Sequence, residues 1–171
     1  VTDEDIRSAL ESTFSHGWER VKLYFMMGLP TETDEDLAGI HDICNLAVSI
    51  ARRHKRRGDV NVSLAGFVPK AHTPFQWEVQ ADRLLLRERG RWVKNSIKNR
   101  RVSISYHEPD QTYLEGVFAR GDSRLADVIE EAWKRGARFD GWTEHFNFER
   151  WMEVFRDLEI DADSYVYRQL R

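Results

Sequence analysis

Two periodicities alternate along the first two-thirds of this chain. Ile6, Leu10 and Phe14 recur at helical spacing and predict an amphipathic helix over residues 3–15, ended by Gly17. Residues 21–27 (VKLYFMM) form a short apolar run with strand preference, suited to a strand buried on both faces. A sharp turn follows, Gly28-Leu29-Pro30-Thr31-Glu32, and Thr33 caps a second helix whose first turn holds Asp34, Glu35 and Asp36. Leu37, Ile40, Cys44, Ala47 and Ala51 make its inward stripe, and Gly58 stops it. Residues 60–68 read as a second strand, and residues 69–74 as a loop. Residues 82–99 read as a helix with Leu85, Leu86, Trp92, Val93 and Ile97 on its buried face. Residues 102–106 read as a third strand, followed by His107, Glu108 and Pro109.

Beyond Pro109 the strand pattern ends. Residues 113–119, 123–135, 147–158 and 163–170 carry helical patterns, and Trp151, Val154, Phe155 and Leu158 share one side of the third. The repeated alternation of helix and strand predicts an α/β fold: parallel strands joined by right-handed crossovers, then an all-helical extension. The expected division is residues 1–109 for the α/β part and 110–171 for the helical part. Three α/β units make an incomplete sheet. Its outer strands are therefore expected to be edges open to self-association or to a neighbour.

Composition narrows the class. The chain has 171 residues, 41% of them hydrophobic, enough for a packed core. A net charge of −3 from 26 basic and 29 acidic residues argues against a general polyanion binder but leaves room for a local basic patch. The single cysteine, Cys44, excludes an internal disulfide and any multi-cysteine metal or cluster site within these residues. A cytoplasmic protein fits that usage, and no apolar run has the length of a membrane span. Residue 1 is Val, and Thr2 with Asp3, Glu4 and Asp5 reads at once as a capped helix start. The chain therefore reads as a piece of a longer polypeptide.

In parallel α/β folds ligands bind beyond the carboxyl ends of the strands. That rule selects residues 28–33, 69–74 and 107–110, which bring Glu32 and Thr33, then Lys70, His72 and Thr73, then His107 and Glu108. Each has a plainer role open to it. Gly28 and Pro30 suit a tight turn, Thr33 a cap, and a loop histidine an ordinary hydrogen bond. No metal-binding spacing such as H-E-x-x-H is present, so no metal ligands are assigned. Two basic stretches stand out: Arg52, Arg53, His54, Lys55, Arg56 and Arg57, and then Arg87, Arg89, Arg91, Lys94, Lys98, Arg100 and Arg101. They read either as solvated helix ends or as a positive face for RNA phosphates. Trp142, His145, Phe146, Phe148 and Trp151 form an aromatic cluster, read as the core of the helical part or as a docking or stacking surface. Cys44, on an inward stripe, reads as a small buried hydrophobe.

The segment from Phe25 to Leu37 resembles the late-strand motif of radical S-adenosylmethionine (radical SAM) enzymes. In the methylthiotransferase-like and oxygen-independent coproporphyrinogen oxidase-like branches a strand ends in a Gly-apolar-Pro-Gly-Glu/Gln-Thr turn. Thr31 here stands where that motif has glycine. The segment from Phe67 to Phe75 (FVPKAHTPF) resembles the next strand and its Pro-x-x-x-Thr-Pro loop. The stretches from Leu114 to Leu125 and from Phe139 to Phe146 resemble the C-terminal part of radical SAM proteins that carry a cobalamin-binding domain. The resemblance runs along almost the whole chain.

It implies a partial (β/α) barrel. Met27, Gly28, Pro30, Glu32, Thr33, Phe67, Val68 and Pro69 would form a wall beside S-adenosylmethionine, with Lys70, His72, His107 and Glu108 toward the substrate. It also implies a [4Fe–4S] cluster on a three-cysteine motif, at which S-adenosylmethionine is reductively cleaved. That motif is missing here. The resemblance therefore assigns cluster, first strands and any cobalamin domain to the rest of the same polypeptide, and this chain is expected to be inactive alone, with no cofactor of its own. The alternative reading is an RNA-binding or protein-docking module using residues 52–57 and the aromatic tail.

Overall fold

The computed structural model describes residues 1–168. The element order is α1 (Asp3–Ser15), β1 (Arg20–Met27), α2 (Asp34–Arg53), β2 (Asp59–Gly66), α3 (Arg83–Ser96), β3 (Val102–Tyr106), α4 (Pro109–Arg120), α5 (Leu125–Lys134), α6 (Phe148–Asp157) and α7 (Asp163–Val166). This is an α/β fold of three parallel strands in one open sheet, with helices between and after them. The chain forms two compact units, Val1–Gly66 with Leu84–His107, and Phe67–Arg83 with Glu108–Arg171. The segment 67–83, expected with the α/β part, thus belongs with the helices.

In the first unit, α1 and α2 begin with the same device. Thr2 accepts from the Asp5 amide at 3.2 Å while Asp5 accepts from the Thr2 amide at 2.7 Å. Thr33 and Asp36 repeat this at 3.2 and 2.8 Å. Each reciprocal pair satisfies two amide donors that the helix leaves free. The strands run in the order β1-β2-β3, with Val21 opposite Val60 and Val60 opposite Val102. On one face stand Phe25, Met27, Val60, Val62, Leu64, Ile104 and Tyr106, and there α3 packs. A Cβ on Gly90 would come within 3.0 Å of the Tyr106 ring and 3.3 Å of the Met27 methyl. The opposite face, by register, carries Lys22, Tyr24, Met26, Asn61, Ser63, Ala65, Ser103 and Ser105.

Three expectations are corrected in this unit. Strand β1 is not buried on both faces: its burial alternates, with Tyr24 72% and Met26 55% exposed, because no helix of the unit covers that face. Leu85 and Trp92 lie outside, 39% and 46% exposed. The buried stripe of α3 is Leu86, Gly90 and Val93, a row at helical spacing that the bulkier side chains obscured, and the buried Ile97 follows just past the helix end. Strand β2 ends at Gly66, two residues early, because Phe67 and Val68 are buried with the second unit.

The second unit is built on Tyr113, Leu114, Val117, Val128, Val154, Phe155 and Val166. Helix α4 starts earlier than its apolar pattern, because Pro109 occupies the first helical position, where a missing N–H costs nothing. The buried Gln80 donates to the Thr112 carbonyl at 2.9 Å, and its amide donates to the Val166 carbonyl at 3.0 Å, tying segment 67–83 to α4 and α7. Gly116 makes room for it, since a Cβ there would lie 1.7 Å from Gln80 Oε1. Leu158, expected on the buried side of α6, is exposed just past the helix end. The last helix ends at Val166, short of the expected Tyr167 and Arg168, and the rest of the expected extension to Leu170 lies outside the described residues.

Candidate functional site

Two of the three selected segments involve the first unit, and both follow the carboxyl ends of strands in one parallel sheet. Residues 28–33 follow β1, and His107 follows β3 with its amide bonded to the Leu64 carbonyl at 3.0 Å. The turn after β1 is tightly specified. Gly28 has φ +82, a conformation open to glycine and strained for other residues. Its amide donates to Glu32 Oε2 at 2.9 Å. The same carboxylate receives Arg89 Nη1 of α3 at 2.6 Å, and Arg89 Nη2 donates to the Glu32 carbonyl at 3.2 Å. The Glu32 side chain is 5% exposed and that of Arg89 18%. Glu32 therefore braces the turn from inside, and its partner came from the second basic stretch, where sequence alone gave no sign of an internal ion pair. Thr33 is spent on the α2 cap.

Thr31 has φ +65, the left-handed conformation that L residues other than glycine adopt at a cost. The position where the radical SAM motif carries glycine thus has the backbone that glycine favours. The Met27 side chain is fully buried, so only its backbone and that of Gly28 line the turn. Pro30, Thr31 and Glu32 border a groove of about 240 Å³ along the outer edge of β1, with Phe25, Met26 and Ile40.

In the second unit, Phe67, Val68 and Pro69 are buried, and Phe67 meets Phe75 edge to face at 5.3 Å. Lys70 Nζ reaches Glu115 at 2.5 Å, and the Thr73 hydroxyl donates to the Lys70 carbonyl at 2.8 Å. His72, with φ +62, is exposed, its amide donating to Gln76 Oε1 at 3.2 Å. Glu108 is exposed and precedes α4 without a side-chain cap. The aromatic cluster divides. Phe146, Phe148 and Trp151 pack with the unit's core, and Trp151 Nε1 donates to Asp140 at 2.6 Å, while Trp142 is exposed.

The donor set for an iron–sulfur cluster does not fit. A cluster needs several thiolates, and the one thiol here, Cys44, is buried on α2, where desolvation pushes its pKa up to about 11. No chemistry is assigned to a cluster held by these residues. Among the described residues no helix is long and apolar enough to cross a membrane.

The first unit thus defines a parallel α/β body whose sheet is covered by its own helices on one face only. No protein-family model matches the chain, and no solved structure does. Over 130 residues it is 30% identical to an uncharacterized protein, MJ0966, of Methanocaldococcus jannaschii; the match covers 76% of this chain and 28% of that protein. The chain therefore spans little more than a quarter of the length of the relative it matches.

Proposed function

We propose that this chain is one part of a radical SAM enzyme and supplies part of the wall of a parallel (β/α) barrel beside S-adenosylmethionine and substrate. The observation that carries the reading is the one-sided sheet. In a doubly wound sheet the strand order reverses and helices cover both faces. Here the order is β1-β2-β3 without reversal. Right-handed crossovers then leave both connecting helices on one face, as on the outside of a barrel. The other face bears small polar side chains, Asn61, Ser63, Ser103 and Ser105, which leave space in a barrel interior for a ligand. The glycine-like backbone at Thr31 supports the match to the radical SAM turn.

On this reading Gly28, Pro30 and Thr31 present backbone to the ligand, and Glu32 and Arg89 hold that backbone in place. Because the Met27 side chain is buried, it shapes that wall from behind. In the same unit the exposed His107 is the side chain left to meet substrate. Cluster ligands and any cobalamin site belong to other parts of a longer, cytoplasmic polypeptide. The test is to express such a polypeptide, reconstitute it anaerobically with iron and sulfide, and assay for 5′-deoxyadenosine from S-adenosylmethionine. Product is expected, and it should fall with Gly28→Val. A fully loaded [4Fe–4S] protein that forms none would overturn the reading.

A further inference from the structure

The two basic stretches meet at the end of the sheet opposite the carboxyl ends of its strands. Arg52 and Arg57, at the end of α2 and in the loop behind it, and Lys98, Arg100 and Arg101, in the loop before β3, line a groove of about 660 Å³ around a single carboxylate, Asp59. Asp59 opens β2 and stands opposite Arg20, which opens β1. Its carboxylate is mostly shielded and lies 3.1 Å from Arg57, 3.5 Å from Arg101 and 3.8 Å from Arg20. One negative charge thus anchors three guanidinium groups. Among the described residues Arg52, Lys98 and Arg100 have no acidic partner, so the groove carries a net positive charge that its own residues do not neutralise.

The rest of the first basic stretch is used differently. Arg53 and His54 pair with Glu11 of α1, and Arg56 Nε donates to the Phe14 carbonyl at 3.4 Å. The run is therefore not simply a solvated helix end. Arg53, His54 and Arg56 fix α1 against α2, while Arg52 and Arg57, with Lys98, Arg100 and Arg101 of the second stretch, line the groove. The exposed Trp18 lies two residues before Arg20 in the loop that enters β1 at this same end.

We propose that this groove binds the phosphodiester backbone of single-stranded RNA. Guanidinium groups anchored by Asp59 are pre-oriented for phosphate oxygens, which they bind bidentately. The groove is wider than one phosphate needs, and cations from two loops line it. An exposed aromatic at the same end can stack a base. The proposal does not depend on the S-adenosylmethionine reading, whose residues in this unit, from Gly28 to Thr33 and His107, follow the other end of the strands.

The test uses the full 171-residue chain and a fluorescein-labelled oligouridylate of about 20 nucleotides, followed by anisotropy across a salt series. With three or four phosphates contacted, log K should fall against log salt with a slope of about −2 to −3. Arg52→Glu with Arg100→Glu should weaken binding at least about tenfold at low salt. Among the described residues neither side chain has an acidic partner, and an unchanged circular dichroism spectrum verifies that the variant is folded. Arg7→Glu, on α1 away from the groove, should leave affinity within about twofold. Absence of binding, or equal losses in both variants, would overturn the proposal. So would tight binding of inorganic pyrophosphate that the oligonucleotide fails to displace, since it would assign the groove to a small phosphate ligand.

Discussion

Arg89→Met is the most direct probe of the turn that ends β1. The substitution keeps most of the side-chain volume and removes the guanidinium. It leaves the Glu32 carboxylate, 5% exposed, with the Gly28 amide as its remaining partner. Stranding one member of a buried pair costs about 3 to 5 kcal/mol. Arg89 is itself 18% exposed, so water can enter the vacated space, and a loss of about 2 to 4 kcal/mol is expected. Glu32→Gln keeps an acceptor for the Gly28 amide and leaves the surplus charge on the better hydrated partner, so it should cost only about 1 to 2 kcal/mol. The double variant should lose less than the sum, with a coupling of about 1 to 3 kcal/mol. Urea unfolding followed by far-ultraviolet circular dichroism and tryptophan fluorescence measures all three. Coincident curves, or separable phases assigned to one unit, give the relevant free energy. An Arg89→Met protein within about 0.5 kcal/mol of the parent, or an additive cycle, would refute the brace.

Four further outcomes are expected. Thr31→Gly should raise stability by about 0.5 to 1 kcal/mol, relief of left-handed strain outweighing glycine's entropy, and an unchanged or lower urea midpoint would contradict that. Gly90→Ala should destabilise by about 1 to 2 kcal/mol despite alanine's better helix propensity, because its Cβ meets the Tyr106 ring; a gain would mean that α3 can shift freely off the sheet. Cys44 should resist a thiol reagent at pH 8 until urea is added, and prompt labelling of the native protein would refute its burial. Its thiol ionises from about pH 9 when unfolded and near 11 when folded, so the unfolded chain holds fewer protons in that interval. Stability should therefore decline as pH rises from about 9 to 11, by roughly 2 to 3 kcal/mol, and the decline should shrink in Cys44→Ala.

Capping and periodicity made most of the fold legible in advance. Thr33 followed by Asp36 announces α2 through local hydrogen bonds, and the apolar runs of β1, β2 and β3 give the parallel alternation. What stayed hidden depends on tertiary packing. Gly90 has no side chain to signal that it faces the sheet, and neighbouring Trp92 invited the wrong face. Gly116 and Gln80 are complementary across 36 positions, a fit that no local pattern carries. At the candidate site, Gly28 and Thr33 were readable from turn and cap chemistry. Glu32 was chosen as a wall residue, but its part in bracing the turn was hidden, because Arg89, distant in sequence, folds onto it. The groove around Asp59 was half visible, since composition marked the basic residues but could not separate those bonded to Glu11 from those left without a partner.

The edges of the sheet bear most directly on what this chain belongs to. Among the described residues strands β1 and β3 each pair only with β2, so each has a row of backbone groups without a sheet partner there. Along β1 that row spans eight residues, Arg20–Met27, beside exposed Tyr24 and Met26 and a groove that reaches Phe25 and Ile40. An edge of this length, with apolar side chains and no proline, is a template for another strand. The isolated chain should therefore associate in sedimentation at about 100 μM, and Tyr24→Lys with Met26→Lys, which place charge beside the edge, should return it to monomer. On the proposed reading, a longer polypeptide whose own strands complete a barrel should not associate through this surface, and the same two lysines should then disturb its fold instead. A chain that stays monomeric at every concentration would show that the edge is protected without a partner. It would also remove the argument that further strands belong beside β1.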